Sequence, residues 1–262
     1  LGPEHPRVAS TLNNLAQILA SQSKYAEART LHERALTIWE KSLGPNHPNL
    51  ATALNNLALL LHNEGSYAEA RPLYERSLAI REKAHGPEHP RVATALNNLA
   101  RLLQIQGSYA EARPLLERAL AIEEKSLGPE HPDVATSLNN LAGILGEQGF
   151  YAEARPLYER ALAIYEKALG PEHPLVATAL NNLAGILQDH GAYAEARPLY
   201  ERALVVWEKA HGPEHPDVAL ALNNLADLLD YTGSHTEARS VYERSLAIRE
   251  KALGLEHPYV GE

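Results

Sequence analysis

The chain has 262 residues, 22% of them charged and 45% hydrophobic, and a formal net charge of −9. That acidic balance lacks the basic face that phosphate neutralisation needs and disfavours anionic lipid, so neither nucleic acid nor a membrane is expected as a partner. The absence of cysteine excludes disulfides, thiolate metal sites and cysteine nucleophiles.

No apolar run approaches a membrane span, and no basic stretch followed by an apolar one suggests a secretion signal. A reducing, cytoplasmic setting is the expectation. Residue 1 is not methionine, and both ends fall inside loop-like sequence, so the chain reads as a segment of a longer protein.

One 42-residue unit recurs six times, over 1–42, 43–84, 85–126, 127–168, 169–210 and 211–252, and a stub of a seventh covers 253–262. A fixed period of this size predicts a solenoid, in which each unit buries its apolar surface only against its neighbours. Each unit reads as two helices, as the second copy shows. Leu54, Leu57, Ala58 and Leu61 fall on one helical stripe, with Pro48 suited to the first turn and Gly65 to the residue past the end.

A second helix is predicted from Ser66, where Ser66 and Glu69 form an S-x-x-E capping pattern repeated by Ser108/Glu111 and Ser234/Glu237. Along it, Tyr67, Ala70, Tyr74 and Leu78 make one seam, and Leu73, Ser77, Ile80 and Ala84 another. Two seams suit a helix packed on its own partner and on the next unit. Gly86-Pro87 ends it. Pro72, Pro114, Pro156 and Pro198 stand in the second turn of these helices, where each removes one backbone hydrogen bond and is expected to bend the helix slightly.

The strings LNNLA, G-x-Y-A-E-A-R and L-Y-E-R-A-L resemble the tetratricopeptide repeat. The usual unit has about 34 residues; the longer form here, ending E-K-A-x-G-P-E-H-P, is similar to the repeats of kinesin light chains. The resemblance implies an all-α, right-handed superhelical solenoid of six helix-turn-helix units, with first helices lining a concave face that holds extended peptides. It further implies that Asn13, Asn55, Asn97, Asn139, Asn181 and Asn223 clamp a peptide main chain, since a carboxamide both donates and accepts. The neighbouring asparagines, Asn14 to Asn224 at the same spacing, are expected to face the seam between units.

Beside the constant asparagines the units differ. The stripe reads Gln17, Leu59, Arg101, Gly143, Gly185 and Asp227 at one column, and Ala20, His62, Gln104, Gly146, Gln188 and Asp230 at the next. A third reads Ser21, Asn63, Ile105, Glu147, Asp189 and Tyr231. Cationic Arg101 precedes an acidic late stretch, so a bound peptide is expected to place basic groups toward the sixth unit. Three glycines inside helices, at roughly 1 kcal/mol each relative to alanine, either open a pocket or reflect drift.

The histidine recurring before each first helix, from His5 to His257, is expected to serve the loop and not a metal. The seven copies cannot converge on one ion. No nucleophile, base or cofactor motif is present, so the expected function is a non-enzymatic, cofactor-free interaction scaffold for a protein or peptide. The rival expectations are a spacer that self-associates through uncapped ends, or the sensor segment of a larger signalling protein.

Overall fold

The computed structural model describes residues 2–253, so the expected stub of a seventh unit lies almost wholly outside the described residues. Among these are twelve helices and no strand. They are α1 (Pro6–Ser21), α2 (Tyr25–Leu43), α3 (Pro48–Asn63), α4 (Tyr67–His85), α5 (Pro90–Ile105), α6 (Tyr109–Leu127), α7 (Pro132–Glu147), α8 (Tyr151–Leu169), α9 (Pro174–Asp189), α10 (Tyr193–His211), α11 (Pro216–Tyr231) and α12 (His235–Leu253). The chain divides into two compact units, Leu1–Gly128 and Pro129–Glu262, each holding three antiparallel helix pairs.

Within each unit the even-numbered helix packs on its own odd-numbered partner and on the next odd-numbered helix, and successive odd-numbered helices touch. Two layers result, and the middle of both seams along α4 is buried, at Ala70, Tyr74, Ser77 and Ile80, whereas Tyr67, Leu73 and Leu78 are half-buried and Ala84, near the helix end, is exposed. In the first unit Val92, Ala93 and Leu96 of α5 meet Ala119 and Ile122 of α6, with Leu78 of α4 and Leu115 against them. A buried apolar cluster thus sits at the joint between the second and third helix pairs.

Small residues let paired helices approach. Ala35, Ala119, Ala161 and Ala203 are wholly buried in the even-numbered helices. Where serine replaces alanine, its hydroxyl finds a carbonyl on the partner helix: Ser77 Oγ donates to Ala51 O at 2.7 Å, and Ser245 Oγ to Ala219 O at 2.8 Å. A buried hydroxyl is tolerated there because it is bonded.

The termini depart from the sequence expectation in one respect. Ser66 and Ser108 precede their helices but make no side-chain cap, so the S-x-x-E pattern is not a capping box here. The reason lies in the turn before them. Gly65, at φ +77°, bonds back to His62 O, and Ser66 N–H reaches Leu61 O at 2.8 Å. This Schellman turn fixes Ser66 at ψ 55°, away from the extended conformation a capping hydroxyl needs. Phe150 and Ala192 hold the same position without any capping group.

The periodic histidines supply the caps that the sequence left unassigned. His5, His47, His89, His131, His173 and His215 each present Nδ1 to the N–H two residues on, at 3.1–3.2 Å, with proline at the first helical position. Helices α4, α6, α8 and α10 continue through their internal prolines.

The outer layer carries a repeated ion-pair chain. Arg71 bonds Glu75 in its own helix at 2.8 Å and Glu111 of the next even-numbered helix at 2.6 Å; Arg29, Arg155 and Arg197 do the same. These groups are largely exposed and screened by water, so the pairs add little stability and serve mainly to set spacing.

Candidate peptide-binding face

The tandem asparagines form a ladder. The second asparagine of a pair donates Nδ2 to Oδ1 of the first asparagine one repeat earlier: Asn56 to Asn13 at 3.2 Å and Asn98 to Asn55 at 2.8 Å in the first unit. In the second unit Asn182 donates to Asn139 at 3.2 Å and Asn224 to Asn181 at 2.9 Å. The second column therefore lies at the seam between repeats. It also bonds the carbonyl end of the first column, using one of the two lone pairs on each Oδ1 of Asn55, Asn139 and Asn181.

Three of the six expected clamps are further committed. Asn13 is buried. Asn97 Nδ2 donates to Glu123 Oε1 at 3.0 Å, which gives that buried carboxylate a polar partner, and Asn223 Nδ2 donates to Asp227 at 3.1 Å. His62, expected in the groove, is buried instead, edge-on to Tyr67 with ring centres 5.6 Å apart. Burial, then the Arg101 cation 3.5 Å from its Nε2, holds it below the usual imidazole range. Arg101 and Leu59 are exposed; Gln104 and Gln188 are half-buried.

Asp227 is likewise engaged: Tyr242 donates its hydroxyl to Oδ1 while Asn223 holds Oδ2. Asp230 pairs with His235 at 2.7 Å. The acidic stretch read from the sequence is thus partly internal bonding.

What remains is a cavity in the second unit. Gly143, Gly146 and Glu147 of α7, Asn181, Gly185 and Asp189 of α9, and Asn224 of α11 surround a space of 280 Å³. Tyr158 and Tyr200 reach it from the even-numbered helices behind. From the sequence, only their counterpart in the second copy, Tyr74, is assigned, and to a seam. The available signal was their column, which runs His32, Tyr74, Leu116, Tyr158, Tyr200 and Tyr242: a phenol where leucine also fits points to a polar neighbour.

The cavity is electrostatically loaded. Partial burial, and then the nearby Glu147 carboxylate, lift Asp189 above the usual carboxylate range. Burial, and then the same acids, keep the Tyr158 phenol protonated well above its ordinary value, and burial with Asp189 and Asp227 does so for Tyr200. A cation entering this space would offset the carboxylate contributions to these shifts, though not the contribution of burial.

The glycines have distinct reasons. A Cβ on Gly146 would stand 2.9 Å from Ile186 Cδ1, so Ile186 packs where a side chain would be. A Cβ on Gly185 would meet only the Tyr200 hydroxyl, at an ordinary 3.5 Å. Gly185→Ala is therefore expected to raise stability by about 1 kcal/mol in urea denaturation, by removing a glycine from a helix interior, and Gly146→Ala to raise it less.

The family profile described as tetratricopeptide repeat matches residues 7–83, 50–122, 91–149, 133–204 and 175–251. A Podosopora anserina crystal structure, described as nearly identical TPR-like repeats of a kinesin light chain candidate, is 33% identical with a TM-score of 0.67, covering 79% of this chain and 98% of that one. BtubC (BKLC) from P. vanneervenii is 24% identical with a TM-score of 0.69 over 97% and 92% of the two chains. Apo RapI, 18% identical, has a TM-score of 0.71 over 93% and 83%; these last two show the fold alone. Comparison with curated proteins gave no match. Helix pairs joined by Schellman turns, packed in two layers at a 42-residue period and matched by the profile along nearly their whole length, place this chain in the tetratricopeptide repeat family, among repeats of the kinesin-light-chain kind.

Proposed function

We propose that the chain is a non-enzymatic scaffold that binds an extended peptide along its odd-numbered helices, with a lysine or arginine of that peptide seated in the cavity of the second unit. Tetratricopeptide repeats mediate protein–protein interaction; the finer reading rests on this cavity. Its floor is glycine, its walls carry tyrosine hydroxyls, and Asp189 beside Glu147 supplies negative charge. In this reading Asn139 and Asn181, whose Oδ1 atoms the ladder engages, donate their Nδ2 hydrogens to peptide carbonyls. Substituting those asparagines would break the ladder as well as any peptide contact, so they make poor test positions.

Gly185 is the better one, since leucine there fills the cavity and leaves the ladder intact. A library of extended peptides is titrated by fluorescence anisotropy at low salt. Binding is expected from members with a basic residue, and alanine at that residue should weaken it at least tenfold. Gly185→Leu and Asp189→Asn should each cause a comparable loss. No binding by any peptide, or binding indifferent to Gly185→Leu, would refute the reading.

A further inference from the structure

We propose that the joint between α10 and α11 holds one zinc-like transition-metal ion through His211, His215 and Asp217. His211 is the last residue of α10, His215 the cap of α11 and Asp217 its second residue. The turn at Gly212, φ +90°, folds them together. Asp217 Oδ2 lies 3.1 Å from His211 Nδ1 and 3.4 Å from His215 Nδ1, and the two rings are centred 4.3 Å apart. One donor atom from each residue can be chosen so that all three lie within 4.8 Å of one another.

Zinc bonds of about 2.0–2.1 Å in a tetrahedron set donor atoms roughly 3.3 Å apart. The three side chains are 28–41% exposed, so they can contract by that amount without disturbing the core. His215 Nδ1 accepts the Asp217 N–H at 3.2 Å, so ligation through Nδ1 exchanges that cap for the metal bond, whereas ligation through Nε2 keeps it. Two imidazoles and one carboxylate suit zinc, nickel or copper, with water completing the shell, and suit calcium or magnesium poorly.

The chain carries its own controls. The α4–α5 joint has the same two histidines, His85 and His89, with rings stacked at 4.6 Å, but Arg91 where Asp217 stands. There a guanidinium nitrogen lies 3.4 Å from His85 Nε2 and would repel a cation. The positions of His211 and Asp217 read Leu43 and Asn49, Leu127 and Asp133, or Leu169 and Leu175 before the other odd-numbered helices. Only α10–α11 has all three ligands among the described residues. A bound ion would tie two adjacent helix pairs and stabilise the folded form by mass action.

Zinc chloride is titrated into the untagged chain by calorimetry in a non-chelating buffer, with calcium chloride in parallel. One zinc per chain is expected, with thermal stability raised by zinc and restored to its starting value by chelator, and no response to calcium. His211→Leu and Asp217→Asn install residues the chain already uses at these positions, so they are expected to fold; each should weaken zinc binding at least tenfold and abolish the thermal shift. His85→Leu should change neither. Absence of stoichiometric binding would overturn the proposal and leave a plain His211–Asp217 ion pair. Binding that survives both substitutions, or that falls equally in His85→Leu, would also overturn it.

Discussion

Leu96→Ala is expected to lower the free energy of unfolding by about 2–5 kcal/mol, the range for deleting a large buried aliphatic group and leaving a cavity. Leu96 is wholly buried at a joint where α4, α5 and α6 meet, so the loss falls on the interface between repeats as well as on one pair. In an array whose stability sums local and nearest-neighbour contributions, such a break should also loosen coupling between neighbours. Urea denaturation should show an earlier midpoint and a broader transition than in the parent. Leu59→Ala, at an exposed position of the preceding odd-numbered helix, should shift stability by no more than about 0.5 kcal/mol. Equal effects at the two sites would mean that burial at the joints is not what holds the repeats together.

Stability should fall as the pH drops from 6.5 toward 4, and His32 should account for much of that loss. His32 occupies the column filled elsewhere by tyrosine or Leu116; it is buried, and its Nδ1 has no hydrogen-bond partner among the described residues. Burial holds its pKa down to about 4. The folded imidazole is therefore neutral where the unfolded one, near 6.5, is charged. Between these values the unfolded chain binds a proton that the folded chain excludes, so stability present above pH 6.5 is lost on acidification. At one pKa unit per 1.36 kcal/mol, the contribution reaches about 3 kcal/mol. His32→Leu copies the third repeat and should flatten this part of the profile, read from denaturation midpoints at pH 7.5, 5.5 and 4.5. An unchanged slope would exclude His32 as the titrating group.

The helix pairs were legible from the sequence because their signals are local. Leu54, Leu57, Ala58 and Leu61 mark a stripe by spacing alone, and Gly65 and Gly86 stop helices by a conformational freedom that needs no tertiary context. The two seams of α4 were legible for the same reason. Side-chain bonding was not. Ser66 matches a capping motif, yet the Schellman turn before it sets a backbone angle that motif cannot use. The capping histidines were visible as a period, but their chemistry depends on where Nδ1 points.

The candidate face divides along the same line. Constant asparagines beside variable neighbours could be read directly, whereas the partner of each polar atom could not. Asn13 and Asn56 are 43 residues apart and bond across a repeat joint; Asp227 is held by Tyr242 from the helix behind.

The sequence by itself determined the architecture. A 42-residue period of amphipathic stripes, with glycine and proline at each end, admits one pairing of helices that buries every stripe, because each unit lacks a core of its own. Only the tertiary structure decided which polar groups are available to a ligand. A hydrogen bond is a matter of a few tenths of an ångström and of direction, and neighbours across a joint set both. So the asparagine column emerged as a ladder, and Asp189 and Glu147 emerged beside a cluster of glycines in one cavity.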